Sequence, residues 1–503
     1  MPFGTDLKEM LKVDPAAPVI EHDRKWLNWG QLAAMVEAVD RVLDEAGVPP
    51  DARVGVLIRN RPWQLAAMLA LFSSRRCLMV LNPMLPRAKL LSDLASARMS
   101  AVVAEADDFA AEDIVDAVRQ GGAAAIRLDP AANMVLPVEG LEKARTDAEA
   151  RSTGEVTLEM LTSGTTGTPK RIPLGRRAFD KALEGAMVYE KDRTVGEPPR
   201  LREGTVLQVA PISHIGGIFS ILTALLSGRR IVLFEKFSVQ QWRDAVVKHR
   251  PRVTSLVPAA LRMVLEANLP KEDLSSLVAL RSGTAPLDAA TVRAFLDRYD
   301  LPVLQIYGAT EYIGGVAGWT LKDFRRYFHE KPDSCGRIHA DVEARIVDPE
   351  TGAILPPGEV GILELKAAQL GDADRWFRTT DRALIDEDHF MTIVGRADNA
   401  IIRGGFKVHP DDVVKMLEQH PSVREAAVVG IADPRLGQVP AAAVILRADA
   451  APVTEEGLIA FARERLSAYQ VPTRLLFVPD LPRTSSMKPA TDGLRALFEA
   501  APA

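Results

Sequence analysis

Short apolar runs separated by helical patterns recur through most of the first 400 residues, and no other feature limits the fold so strongly. Residues 54–58, Val-Gly-Val-Leu-Ile, read as a buried strand, 63–72 as a helix, and 77–81, Cys-Leu-Met-Val-Leu, as another strand. Strand patterns return at 101–104, 206–209, 230–234 and 303–307, several of them with helical segments between. A run that is apolar at every position has no polar face to offer water, so it belongs in a sheet covered on both sides. The expectation is an α/β chain rich in parallel strands.

At 503 residues the chain is too long for one hydrophobic core, so more than one domain is expected. Around 342–347 and 361–366 the texture changes to strand-turn-strand, with Asp348-Pro349-Glu350-Thr351-Gly352 as the turn. That marks a β-rich subdomain closing the large part. A second unit begins after Gly395-Arg396, with a helix at 410–420, strands at 426–431 and 441–446, and a helix at 455–466. Its size suits a small α/β domain. The expected layout is a large N-terminal domain of packed mixed α/β sheets over 1–395, a junction at 396–398, and a small C-terminal domain over 399–503.

Composition excludes several classes of function. A net charge of −5 gives no global pull towards nucleic acid or an anionic membrane surface. The cysteines, Cys77 and Cys335, are too few and too far apart for a disulfide framework or a cysteine-rich metal site. Asp6, Lys8 and Glu9 precede any apolar run, so no signal peptide is read. The longest uncharged apolar stretch, 216–228, is far short of the ~20 residues a membrane span needs. The chain reads as soluble and cytoplasmic, with no nucleic acid and no membrane as partner.

The chemistry is concentrated in five segments. Leu161-Thr162-Ser163-Gly164-Thr165-Thr166-Gly167-Thr168-Pro169-Lys170 combines hydroxyls, glycines and a lysine in a segment suited to wrap an oxyanion. It is not the P-loop of kinase-like ATPases, which needs Gly-Lys-Ser/Thr in sequence. Taken alone it is also compatible with an ordinary surface loop. Tyr307-Gly308-Ala309-Thr310-Glu311 follows an apolar strand, placing Glu311 near a strand's carboxyl end, where open α/β sheets hold ligands. Phe377-Arg378-Thr379-Thr380-Asp381 ends in an acid able to accept from ribose hydroxyls. Gly395-Arg396-Ala397-Asp398 lies at the junction, and Pro482-Arg483-Thr484-Ser485-Ser486-Met487-Lys488 presents a lysine near the C-terminus. Each has a plain reading too: a helix cap at Thr310, a surface ion pair at Arg396 and Asp398, a solvated Lys488.

Together, in this order, these segments resemble the adenylate-forming superfamily: acyl- and aryl-CoA synthetases, firefly luciferase and the adenylation domains of peptide synthetases. The resemblance is nearly full length, from 53–60 through Leu81-Asn82-Pro83 and Arg403-Gly404-Gly405-Phe406-Lys407-Val408-His409-Pro410 to Lys488. It implies attack of a carboxylate on the α-phosphate of ATP to give an acyl-adenylate and pyrophosphate, then attack of a thiol on the acyl carbon. It also implies roles. Thr162, Ser163, Gly164, Thr165, Thr166, Gly167 and Lys170 would hold the β- and γ-phosphates, Thr310 the α-phosphate and Glu311 Mg²⁺. Tyr307 and Gly308 would border the adenine beside Gly283, Thr284 and Ala285, and Asp381 and Arg396 would bind ribose. Lys488 would bridge carboxylate and α-phosphate. Asp398 would be the hinge about which a mobile small domain swings, bringing the loop Arg403, Gly404, Gly405, Phe406 and Lys407 to the thiol side. His214, in Pro211-Ile212-Ser213-His214-Ile215-Gly216-Gly217, would border the acid site with Gly283, Tyr312, Ile313, Gly314 and Gly315. The small side chains at Gly314 and Gly315 favour a bulky or extended acid.

The chain departs from the family pattern in three places. Thr380 stands where glycine precedes the ribose acid, Met487 stands where glycine precedes the lysine, and the segment between Leu365 and Trp376 is short. No charged group is lost, so activity is expected. The expected activity is an acid–CoA ligase for an aryl or small-to-medium acyl acid, using ATP, Mg²⁺ and CoA. The alternatives are loading of an acyl carrier protein's phosphopantetheine, a luciferase-type oxidation, and a non-catalytic nucleotide- or acid-binding homologue. A homodimer is compatible with the family.

Overall fold

The computed structural model describes residues 3–145, 155–162, 170–187, 197–285, 287–448, 450–484 and 487–500. They group into two compact units, one drawn from 1–162, 170–330 and 367–374, the other from 331–366 and 375–503. The junction read from sequence at 396–398 falls inside the second unit, and the β-rich segment groups there with the C-terminal strands.

The first unit contains three sheets. The largest runs in the order Met134–Pro137, Ala124–Asp129, Ala101–Glu105, Arg53–Leu57, Cys77–Leu81, Val156–Thr162, Lys170–Gly175. Its inner strands are parallel and its two edge strands antiparallel. A second sheet sets Thr205–Gln208, Arg230–Leu233 and Pro18–His22 in parallel, with Lys25–Asn28 antiparallel at its edge. A third aligns Val253–Ser255, Ala279–Ser282 and Val303–Ala309 in parallel, then Gly314–Gly318 antiparallel. The sheets are therefore mixed, with the parallel pairs at their centres.

The helix Pro62–Ser73 shows why the first two sheets pack together. Every residue from Trp63 to Ser73 is buried, as expected of a helix that is apolar all round and lies between layers. Its side chains join one core with Val54, Val56 and Leu78 of the first sheet and Ile20, Ile231 and Leu233 of the second. The apolar stretch after His214 forms the helix Ile215–Leu226, whose Ile218, Ile221 and Leu222 enter the same core. Among the described residues no helix is long and apolar enough to cross a membrane.

The second unit has two sheets. One is an antiparallel meander of Glu343–Val347, Gly361–Lys366, Phe377–Ile385 and Met391–Arg396. Its first turn is closed by Asp348, whose Oδ1 accepts from the Glu350 and Thr351 N–H groups. The other is built on the long hairpin Val423–Asp433 and Gly437–Leu446. Side chains alternate across that sheet. Ala442 and Val444 pack with Val413, Leu417 and Leu458 of the helices Pro410–Leu417 and Glu455–Arg463. Ala441, Ala443 and Ile445 pack on the other face with Leu494 and Phe498 of Thr491–Ala500.

Candidate active site

In the first unit the site is organised by one hairpin. Val303–Ala309 returns as Gly314–Gly318, with Ala309 opposite Gly314 and Gly308 opposite Gly315, so the 3-10 turn Thr310–Tyr312 is carried at the tip. Gly308 is required by close approach, because a Cβ there would overlap the Gly314 carbonyl oxygen. Gly308→Ala must therefore spread the hairpin and shift Thr310 and Glu311. A displacement near 1 Å in a catalytic array costs about 10²-fold in rate. That loss is expected in acid-dependent pyrophosphate release, with an unchanged circular dichroism spectrum. A variant as active as the parent would show that the tip does not need this register.

Backbone strain marks the same place. Thr284 and Ile313 are the only β-branched residues at positive φ among those described, at 69° and 51°. Such residues are uncommon in this region, and strain of this kind gathers at functional sites. Tyr312 and Ile313 are buried, and the Tyr307 and Tyr312 rings lie 6.1 Å apart, tilted by 53°. Glu311 is half-buried, and its carboxylate has no hydrogen-bond or ion-pair partner among the described residues.

Other segments of the first unit converge on this tip. The strand Lys170–Gly175 packs beside the Thr310–Tyr312 turn, and Thr162 lies opposite Lys170 in the register. Ser163, Gly164, Thr165, Thr166 and Gly167, between those strands, lie outside the described residues. Gly283, Thr284 and Ala285 follow Ala279–Ser282, with Gly283 against the Ile306 carbonyl. His214 occupies the N-cap position of the helix Ile215–Leu226 without a side-chain capping bond, and the backbone at Gly216 faces the Thr284 methyl.

Three residues that sequence reasoning did not single out as site residues shape these segments. Asn60 is buried and bridges the entry to the His214 segment. Its amide donates to the Ala210 and Phe234 carbonyls at 3.2 and 2.9 Å and accepts from Ile212 N–H at 2.8 Å. Phe219, on the same helix as His214, faces Gly314, its ring 3.6 Å from where a Cβ would stand. Gln369, buried in the short segment after Lys366, donates to the Tyr312 carbonyl at 2.9 Å.

In the second unit Asp381 and Arg396 face each other across adjacent antiparallel strands. Asp381 N–H donates to Thr379 Oγ1 at 3.0 Å. The Arg396 guanidinium donates twice to Asp398, at 2.9 and 2.8 Å, and once to Thr380 Oγ1 at 2.6 Å. Thr380, one of the departures from the family pattern, thus orients the arginine. The junction backbone is held as well: Ala397 N–H donates to the Thr380 carbonyl, and Arg396 N–H to Asp411 Oδ2 at 3.3 Å. Burial raises the pKa of Asp411 and lowers that of His409, whose Nδ1 lies 3.3 Å from the Arg396 carbonyl.

The glycine-rich loop is a tight hairpin. Gly404 and Gly405, at φ 56° and 90°, link Ile401–Arg403 to Phe406–Val408 with Arg403 opposite Phe406, and a two-residue turn of this kind needs positive φ at both positions. The exposed Phe406 ring stacks on Tyr469, centroids 4.9 Å apart. Arg403 is engaged with backbone: its Nη1 donates to the carbonyls of Ala468, Tyr469 and Val471. Lys488 follows Met487, which is held at φ 63°. A side chain therefore sits in the left-handed conformation where the family pattern has glycine. Both cysteines are free thiols whose pKa burial raises, so neither is poised as a nucleophile.

Residues 7–371 match the AMP-binding enzyme family and residues 415–488 the AMP-binding enzyme C-terminal domain. The chain is 28% identical to a 2-succinylbenzoate–CoA ligase of Bacillus cereus (strain AH820), covering 98% of each sequence. It is 28% identical to an indoleacetate–CoA ligase of Aromatoleum aromaticum, covering 96% of each. It is similar in fold to ATP-bound MatB from Rhodopseudomonas palustris, with a TM-score of 0.82, 24% identity and 99% of each chain covered. With the AMP-binding enzyme family matching residues 7–371, most of its length, the chain belongs to the AMP-binding enzymes.

Proposed function

We propose that this protein is an AMP-forming acid–thiol ligase that activates an aryl or small-to-medium acyl carboxylic acid and transfers it to CoA. The observation that carries this reading is the hairpin tip of Thr310 and Glu311, beside the strand that follows the phosphate segment and beside the His214 helix. In the first step a carboxylate oxygen attacks the α-phosphorus and pyrophosphate leaves with the oxygen that joined it. In the second the thiol sulfur attacks the acyl carbon, AMP leaves, and the thiol proton passes to solvent. Two anions must meet in step one, so oriented donors and cations carry most of the acceleration.

In this reading the segment 162–170 holds the β- and γ-phosphates, Thr310 donates to the α-phosphate, and Tyr307 with Gly308 and Gly283–Ala285 borders the adenine. Asp381 and Arg396 bind the ribose, and Lys488 bridges acid and α-phosphate. Glu311 fits Mg²⁺, a cation that takes one or two carboxylates together with water and phosphate oxygens and supplies charge neutralisation between them. His214, Tyr312, Ile313, Gly314, Gly315 and Phe219 border the acid. The bulky acid expected from Gly314 and Gly315 is corrected by Phe219, whose ring stands against the space Gly314 leaves and favours a flat aryl or slender acyl group over a branched one.

One observation favours a carrier-protein thiol as the second choice of acceptor. Arg403, a cation of the loop on the thiol side, spends its Nη1 on three backbone carbonyls, which leaves it fewer donors for the phosphates of CoA. The test is pyrophosphate release from Mg²⁺ and ATP across aryl, short, medium and long-chain acids, including 2-succinylbenzoate and indoleacetate, with and without CoA. Release with thioester appearing only when CoA is present supports the ligase. Release with a stable adenylate and transfer only to a phosphopantetheinyl carrier moves the acceptor. ATP binding without release for any acid would defeat the enzymatic reading.

A further inference from the structure

The segment that carries Lys488 is braced from behind by a buried ion pair. Glu425 lies in the strand Val423–Asp433 immediately after a bulge that shifts its register, and its side chain is 8% exposed. The Arg483 guanidinium, 13% exposed, meets it in a two-pronged contact, Nη1 to Oε1 at 3.1 Å and Nη2 to Oε2 at 2.8 Å. The same Nη1 donates to the carbonyl of Met487 at 3.2 Å. That carbonyl belongs to the peptide that joins Met487 to Lys488. Burial opposes the arginine's charge, yet the Glu425 carboxylate holds its pKa above the ordinary range.

Other bonds of the segment run within it: Arg483 bridges to Pro489, and Ala490 N–H donates to the Pro482 carbonyl at 2.8 Å. Thr484 N–H donates to the Lys488 carbonyl at 2.8 Å, Met487 N–H to the Thr484 carbonyl at 2.9 Å, and Lys488 N–H to Thr484 Oγ1 at 3.2 Å. Met487 is held at φ 63°, a conformation that an L side chain leaves readily unless its surroundings enforce it. The Met487 side chain is 40% exposed and so adds little packing. The charge-assisted bond from Arg483 links the carbonyl of this strained residue, through Glu425, to the strand Val423–Asp433, and bonds of that kind are about twice as strong as neutral ones.

We infer that Arg483, braced by Glu425, is a positioning residue for Lys488: it fixes the peptide before the lysine, and so the ammonium, for the adenylation step. This rests on the reading of Lys488 as the cation of the first half-reaction. Arg483 touches no reacting atom in this account. Its fork of donors is the reason a lysine cannot replace it, since one ammonium cannot bind both carboxylate oxygens and a carbonyl in fixed directions.

The test uses full-length Arg483→Ala, Arg483→Lys, Glu425→Gln, Lys488→Ala and the double variant Arg483→Ala/Lys488→Ala. Amide hydrogen exchange needs no acid. In Arg483→Ala the peptide covering 484–490 is expected to exchange at least about tenfold faster, while strand 439–446 keeps its protection. Acid-dependent pyrophosphate release, with the panel acid of highest parent rate, is expected to fall about 10²-fold in Arg483→Ala. Arg483→Lys and Glu425→Gln should fall between that variant and the parent. Thioester formation from the synthetic adenylate of that acid should change less than about threefold. The double variant should be no slower than Lys488→Ala alone, because both changes remove one function.

Unchanged exchange in 484–490 would overturn the brace, as would a double variant whose loss is the product of the single losses. If Arg483→Ala does not fold, Glu425→Gln carries the same comparison with the arginine in place. Full adenylation by Lys488→Ala would instead defeat the reading of the lysine and leave the exchange result standing, so the two failures are distinguishable.

Discussion

Lys488→Ala is expected to lower acid-dependent pyrophosphate release by about 10²–10³-fold or more, while thioester formation from a preformed acyl-adenylate stays within a few-fold of the parent. The asymmetry follows from charge. In the first step a carboxylate approaches a polyphosphate, and in the proposed role the ammonium would offset the repulsion between them as the new bond forms. In the second step the acyl group is already esterified to AMP and the thiol approaches a carbonyl carbon, so this cation has no pair of anions to join. Stopped assays of pyrophosphate and of thioester, each under single-turnover conditions, measure the two steps separately. Equal losses in both would show that Lys488 supports the fold of the segment 482–490 rather than the chemistry.

Asp398→Pro is expected to reverse the pattern, reducing thioester formation by about 10²-fold while pyrophosphate release falls less than about tenfold. Proline fixes φ and removes the N–H at 398, and it biases Ala397 towards extended conformations, so a backbone change at the junction becomes costly. The expectation follows from the reading of 396–398 as a hinge, which absorbs such a change in a few residues. The smaller loss in the first step has its own cause. Asp398 accepts two hydrogen bonds from Arg396, so its replacement also loosens the arginine assigned to the ribose. Asp398→Asn separates the two effects, since it keeps the backbone free and removes only the charge. A proline variant that loses both steps equally would contradict the hinge reading.

The strands most legible in the sequence were those buried on both faces. Arg53–Leu57 and Cys77–Leu81 carry unbroken apolar runs because they sit inside a parallel sheet, and their neighbours place them there. The position of Thr310 and Glu311 at a strand's carboxyl end was legible from the apolar run before them, though the return of that strand as a hairpin was not. The turn at 348–352 was legible from its Asp and Gly. Pairings over long separations were not legible. Nothing local announces that Pro18–His22 lies parallel to Arg230–Leu233, because strand pairing depends on neighbours that the sequence does not specify. Mixed sheets were expected, but which strands form their antiparallel edges belongs to the same class.

At the site, charged and hydroxylic residues in motifs could be named, whereas the groups that hold them could not. Asn60 and Gln369 are single amides in unremarkable surroundings, and only the fold reveals that they bond to the backbone at 210–212 and 312. Thr380 reads in sequence as a lost glycine, yet its hydroxyl accepts from Arg396. Met487 reads as another lost glycine and keeps a glycine-like backbone, with its carbonyl accepting from Arg483. Arg403 likewise reads in sequence only as a cation beside a glycine-rich loop, and the fold shows its Nη1 donating to three carbonyls of the same unit. A charge in a sequence has no partner until the chain folds.

The central claim is that the acid is activated as an adenylate before it reaches a thiol, and isotope transfer tests it most directly. The acid that drives turnover is supplied with both carboxylate oxygens as ¹⁸O, together with ATP, Mg²⁺ and CoA, and the products are weighed by mass spectrometry. The account predicts one ¹⁸O in AMP, one in the thioester and none in pyrophosphate. Label in inorganic phosphate or in ADP, or an AMP that carries none, would contradict it.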